Sequence, residues 1–117
     1  MLTDSDVTVY AVKHIKGQLD PEYSRIYLPH VHFEEDLAVN VDKDGYSATD
    51  RVKVYVPTTR PLGVSKGDYL VRGEHPAITS PDELKTLKTS SRVYVITGVS
   101  DRLYGSKRLQ HIEIGAV

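Results

Sequence analysis

The chain has no cysteine, and that one absence removes a disulfide framework, a thiolate zinc site and a cysteine nucleophile together. No apolar run approaches the length of a membrane-spanning helix. The start, Met1-Leu2-Thr3-Asp4-Ser5-Asp6, is acidic rather than signal-like, so the chain is expected to fold in the cytoplasm without a membrane partner. An excess of charge of either sign is missing too. The formal net charge of −1 gives the protein as a whole no electrostatic case for gripping nucleic acid or an anionic membrane, which leaves only local patches. Tryptophan is absent and phenylalanine occurs once, so the eight tyrosines carry nearly all of the aromatic surface.

What remains is ordinary for a globular domain. At 117 residues, with 39% apolar and 26% charged, the chain is one domain, residues 1–117, large enough for a real core. No sustained helical period, repeat or low-complexity tract interrupts it.

Strand signals recur instead. Val7 to Lys13 is rich in β-branched residues. Tyr23 to Phe33 reads as two strand pieces, bent or bulged at Pro29 because proline cannot donate to a ladder. Leu37 to Val41 is a further strand, followed by the Asp-Gly hairpin dipeptide in Asp42 to Gly45. Arg51 to Val56 alternates, with Val52, Val54 and Val56 on one face. Gly67 to Gly73 brackets a short apolar strand. Ser80 is a good N-cap, Pro81 takes the first helical position and Asp82 and Glu83 fill the first turn, which predicts a helix near residues 81–87, ended by Thr89-Ser90-Ser91. Arg92 to Val99 is the strongest strand, Arg102 to Arg108 a polar turn, and Leu109 to Ile114 a final strand. Many short strands with one short helix predict a mainly β protein, a small antiparallel barrel or sandwich.

Four stretches invite chemistry. His30 and His32 share a strand face and precede Glu35 and Asp36, as a metal-binding barrel would require, but no second histidine motif follows, and a solvated strand face explains them better. Asn40 to Arg51 puts oxygen ligands and a glycine at the early places of a calcium loop, yet its last place is Arg51 and its flanks are valine strands. Gly63 to Asp68 has glycine and lysine without the spacing of a phosphate loop. Lys85, Lys88, Arg92, Arg102, Lys107 and Arg108, with Tyr94 and Tyr104 between them, form a candidate basic face of the kind that meets phosphate. No catalytic arrangement stands out, and the chain is read as a non-enzyme with no cofactor and no metal.

The stretch Gly67-Asp68-Tyr69-Leu70-Val71-Arg72-Gly73, then Ile78-Thr79-Ser80-Pro81-Asp82-Glu83-Leu84, then Val93 to Asp101 and a basic turn into His111, resembles a family of small proteins encoded among the head and head-tail joining genes of tailed phages and prophages of Gram-positive bacteria. The likeness covers most of residues 67–115, while residues 1–66 match only in character. This chain departs from it at Leu103-Tyr104, in the last turn, and at Ile112. The resemblance implies a virion protein of the phage neck, assembled in the host cytoplasm. A β-rich chain of this size fits a head-completion or stopper ring best, between the portal-adaptor complex above and the tail terminator or tail tube below, with packaged DNA in its channel. A minor capsid or tail-terminator component is the alternative within that class. A small β-barrel module binding protein or nucleic acid is the alternative outside it.

A ring needs a heterologous contact, and Tyr69, Arg72, Tyr94 and Tyr104 are its candidate residues. The polar stretch from Asp42 to Asp50 spends about nine residues where a tight hairpin needs fewer. Lys43, Asp44, Gly45 and Tyr46 are therefore the candidate channel or interface loop. The candidate basic face is centred on Arg92, Arg102, Lys107 and Arg108.

Overall fold

The computed structural model describes residues 4–42, 45–103, 105 and 110–117, with no side-chain description for residues 36–50. Six strands and one helix follow in the order β1 (Ser5–Lys13), β2 (Glu22–Asp42), β3 (Gly45–Pro57), β4 (Tyr69–Arg72), α1 (Pro81–Ser90), β5 (Val93–Arg102) and β6 (His111–Ala116). They close into an antiparallel barrel in the order β1-β2-β3-β6-β5-β4, with β4 returning to β1 through Val7↔Arg72 to Tyr10↔Tyr69. A barrel, not a sandwich, is thus the form the strands take. Among the described residues no helix is long and apolar enough to cross a membrane.

The interior is filled by alternate residues of the strands. Val7, Val9, Leu28, Val31, Val52, Val54, Val56, Leu70, Tyr94, Ile96, Ile112 and Ile114 form the main core. A second cluster lies outside the barrel wall, where Tyr10 and Val71 meet Ile78 and Leu84 beneath the helix. Both faces of β1 are therefore buried. Thr8, fully buried, donates from Oγ1 to the Gly73 carbonyl at 2.8 Å and accepts from the His75 N–H at 3.1 Å. The Tyr10 hydroxyl donates to the Pro76 carbonyl at 2.7 Å. These two side chains satisfy backbone groups of the connector between β4 and α1, so it can lie flat on β1 without orphaned polar atoms.

The helix starts where its cap residues place it. Ser80 Oγ accepts from the Glu83 N–H at 3.3 Å, while the Glu83 carboxylate accepts from the Thr79 N–H at 2.6 Å, a reciprocal arrangement that satisfies two donors at the helix entry. It runs to Ser90, longer than residues 81–87. The hydroxyls expected to end it turn back instead, Thr89 Oγ1 donating to the Thr86 carbonyl at 2.6 Å and Ser90 Oγ to the Leu87 carbonyl at 3.2 Å.

β2 is one strand of 21 residues rather than three pieces. Its first half pairs with β1 as far as Ser5↔Val31 and its second with β3 from His32↔Tyr55, and Pro29 and His30 together oppose Asp6 between Val7↔Leu28 and Ser5↔Val31. This is the expected bulge at Pro29, and it lies just before the strand passes from one neighbour to the other. The pairing with β3 then continues far beyond the barrel. β6 releases β3 after Val52↔Ala116, yet β2 and β3 remain paired through seven further positions, from Asp36↔Arg51 to Asp42↔Gly45. At a strand rise of about 3.4 Å per residue these extend the hairpin by roughly 23 Å. The radius of gyration, 15.6 Å, accordingly exceeds the value of about 13 Å for a compact domain of this length.

Candidate functional site

The hairpin arm corrects the expectation of a polar loop from Asp42 to Asp50. Gly45 to Asp50 belong to β3 and are paired, Gly45 with Asp42 and Tyr46 with Val41. Lys43 and Asp44 lie outside the described residues. Serine, threonine and aspartate in this stretch read as loop, but the backbone register pairs them into a two-stranded ribbon. The same pairing settles the calcium-like spacing, whose early places Asn40 and Asp42 sit on a strand instead of in a loop between helices.

Within the candidate basic face, Arg92 and Arg102 stand apart. Arg92 precedes β5 and Arg102 ends it, so the two stand at opposite ends of one strand, about 30 Å apart by strand rise. Lys107 and Arg108 lie outside the described residues. A different pair meets at the barrel end from which the arm leaves. The Arg72 guanidinium stacks over the Phe33 ring at 4.7 Å, and that of Arg92 over the Tyr94 ring at 5.2 Å. The two rings meet edge-on at 6.2 Å, so guanidinium, ring, ring and guanidinium run in series across the mouth. Such stacking holds the two cations without a full desolvation penalty.

Of the candidate interface residues, Tyr94 is corrected. It is 5% exposed and belongs to the barrel core, unable to serve as a surface anchor. Tyr69 is half-buried on the outer face of β4, with the Lys88 ammonium 5.2 Å from its ring centroid. Arg72 is exposed at the mouth, and Tyr104 lies outside the described residues.

The histidines take up places that local spacing did not reveal. His30 and His32 both point away from the buried Val31. His32 Nε2 lies 3.0 Å from Glu34 Oε1, and its ring is 5.6 Å from that of Tyr55. On the other side of Tyr55, at 6.1 Å, stands His111, whose Nε2 is 3.1 Å from Glu113 Oε1. A histidine–tyrosine–histidine row thus crosses the outer face of β2, β3 and β6, flanked by carboxylates. His111 reaches it only through the register His32↔Tyr55↔Glu113, a long-range fact that spacing along the chain does not carry. Among the described residues no group of three or more histidine, aspartate or glutamate side chains is gathered to hold a metal.

The Gly63 to Asp68 turn is a clasp. Asp68 is buried, with Oδ1 accepting from the Val12 N–H at 3.0 Å and Oδ2 from the Ser65 N–H at 2.8 Å. Gly63 and Gly67 supply the positive φ values, 73° and 96°, that bring the chain round. The aspartate ties the start of β4 to the end of β1, a structural task in place of a phosphate contact.

No described cavity combines depth with convergent reactive groups. The groove beside Lys88 to Val93, about 560 Å³, is an open surface feature at the C-terminal end of α1. The features that stand out among the described residues are a closed barrel, an arm and a basic-aromatic mouth. Comparison with known families gives one match, covering residues 2–117. The chain belongs to the family of unknown function DUF6751. No curated protein and no solved structure matches it. The matched range spans the barrel, the arm and the helix together, and brings no assigned activity with it.

Proposed function

We propose that the protein is a non-enzymatic structural component of a tailed-phage neck, the head-completion or stopper ring that joins a portal-adaptor complex to the tail. The observation that carries this is the arm. A closed barrel has satisfied its own strand edges, so a single-domain chain that sends a ribbon roughly 23 Å beyond its barrel presents fresh backbone edges for another chain. Subunits of a ring reach one another through such protrusions, because each needs two unlike faces, one given and one received. The likeness of residues 67–115 to small head-tail joining proteins names the kind of ring, and the arginine-bearing mouth suits a channel through which DNA passes. The protein would act in the virion, after assembly in the host cytoplasm.

The neighbourhood of the gene and the phenotype of its loss test this. Portal, major capsid and tail-tube genes are expected beside it. Deletion from that phage should give DNA-filled heads that leak or fail to take tails, visible by electron microscopy and restored by the gene in trans. A gene standing among unrelated cellular functions, or deletion with full particle titre, would refute the neck role.

A further inference from the structure

Two arginines face each other at the rim of the barrel. The β4–β5 register runs Tyr69↔Val95, Leu70↔Tyr94 and Val71↔Val93, and its next step sets Arg72 opposite Arg92. Leu70 and Tyr94 belong to the core, so Arg72 and Arg92, two positions further on, stand at the rim on the same side of the sheet. Residues directly opposed on antiparallel strands hold their Cβ atoms about 5 Å apart, and like charges at that spacing cost stability. Closing the end of a barrel does not call for a second cation. Both side chains are exposed, and each lies over a ring, Arg72 over Phe33 at 4.7 Å and Arg92 over Tyr94 at 5.2 Å. Stacking engages the face of a guanidinium, while its N–H donors point outward in the plane and suit a planar or tetrahedral oxyanion. Arg72 Nη2 donates to Ser5 Oγ at 3.4 Å.

The pair adjoins the groove of about 560 Å³ at the end of α1. Arg92 lines that groove with Lys88, Thr89, Ser90, Ser91 and Val93, so two cations and three hydroxyls form its wall without a carboxylate. The C-terminal end of α1 brings about half a negative charge here, which the two cations outweigh. Lys88, Arg92 and Arg72 follow one another from the helix end to the rim. Neighbouring carboxylates are engaged elsewhere: Asp6 accepts from the Tyr27 hydroxyl, Glu34 meets His32 and Glu74 meets Arg25. Glu35, exposed and two residues past Phe33 on β2, lies on the strand side that Phe33 faces.

We propose that Lys88, Arg92 and Arg72 form a site for the phosphate backbone of nucleic acid. A row of cations fits a ligand with a charge at every repeat better than it fits a single anion, and a guanidinium fork takes two phosphate oxygens at once. The bases are not read. The Phe33 ring lies under a guanidinium and Tyr94 is 5% exposed, so neither offers a stacking platform, and the contact is one of charge. The choice of nucleic acid over an acidic peptide rests on the channel reading, but the site is tested on the purified protein alone. Its failure would leave the neck role to the genetic test, and failure of the neck role would leave the site standing.

Isotope-labelled protein titrated with a duplex of about 20 base pairs at about 20 mM salt should shift the amide signals of Arg72 and of Lys88 to Val93. Log K should fall with log salt at a slope of about −2 to −3, one phosphate for each cation. Arg72→Gln and Arg92→Gln should each weaken binding several-fold and flatten the slope by about 1. Lys88→Gln, at the exposed end of α1, should do the same and carries the test if an arginine variant folds poorly. Glu35→Gln should tighten binding, and Lys13→Gln, at the other end of β1, should leave it unchanged. Absence of shifts at these residues, equal weakening by Lys13→Gln, or displacement of the duplex by poly-glutamate at equal charge would overturn the inference.

Discussion

Shortening the arm separates an assembly role from a structural one. The variant replaces residues 39–48 with Asn-Gly, so that Ala38 and Thr49, partners in the native register, are joined by a tight type I′ turn. Every barrel pairing survives, because β1 releases β2 at Val31 and β6 releases β3 at Val52. The variant removes four pairs, about 14 Å of ribbon. A ribbon of two strands with no third is marginal by itself: ordering each residue costs about 1–2 kcal/mol of backbone entropy, and each cross-strand pair returns only about 0.2–1 kcal/mol beyond the hydrogen bonds. Loop closure changes by less than about 1 kcal/mol. The unfolding free energy should therefore stay within about 1 kcal/mol of the parent, and Tm within about 5 °C, by urea titration and calorimetry. Particles carrying the variant should lose tail attachment. A loss above about 3 kcal/mol, the scale of emptying a core position, would show that the arm is part of the folding unit. Full-titre particles would show that it is dispensable.

Three further outcomes follow from the barrel. Thr8→Val should cost about 2 kcal/mol in urea unfolding, because it orphans the Gly73 carbonyl and the His75 N–H that share the buried hydroxyl, and a stability equal to the parent would mean that water replaces it. Asp68→Ala should cost about 3 kcal/mol by the same assay, through two lost charge-assisted bonds, with Asp68→Asn between it and the parent; equal stability for all three would refute the clasp. The Tyr27 hydroxyl donates to Asp6 Oδ2 at 2.7 Å, which pushes its pKa up to about 12. Because the folded state holds this proton more tightly, the bond's contribution is complete below the ordinary value of 10.0 and is lost as pH rises through about 12. Phenolate absorbance should show Tyr27 ionising late, beside Tyr10 and Tyr23 whose pKa values burial raises, and in Asp6→Asn the Tyr27 step alone should return toward the ordinary value; a titration unchanged by that substitution would refute the pairing.

The features legible in the sequence were those written locally. Val52, Val54 and Val56 alternate and point inward, Ser80 and Pro81 open the helix, and Pro29 sits at the bulge. What escaped was written across the chain. Tyr94 stands between Val93 and Val95, so alternation gives no clue to which parity faces the core, and only the barrel's closure assigns it inward. Histidines 32 and 111 lie far apart in sequence, and only the register through Tyr55 sets them on one row. Asp68 looked like a turn residue because its partners, Val12 and Ser65, are backbone groups that no side-chain pattern announces.

One local signal does carry tertiary information. A barrel strand with a solvated outer face alternates, as Val52-Lys53-Val54-Tyr55-Val56 does. A strand covered on both faces cannot, and the runs Val7-Thr8-Val9-Tyr10, Leu70-Val71 and Val93-Tyr94-Val95-Ile96 mark the three strands nearest the helix, β1, β4 and β5. For the first two the cover is present: Tyr10 and Val71 are buried under Ile78 and Leu84. For β5 the run outlasts the helix. Val93 is half-buried, while Val95 is bare although its sequence context is that of a buried position. Burying two such valines would contribute about 1.5–3 kcal/mol each if fully removed from water. The unspent part of the apolar run on β5 therefore marks a stretch of the barrel's outer face that α1 leaves partly open.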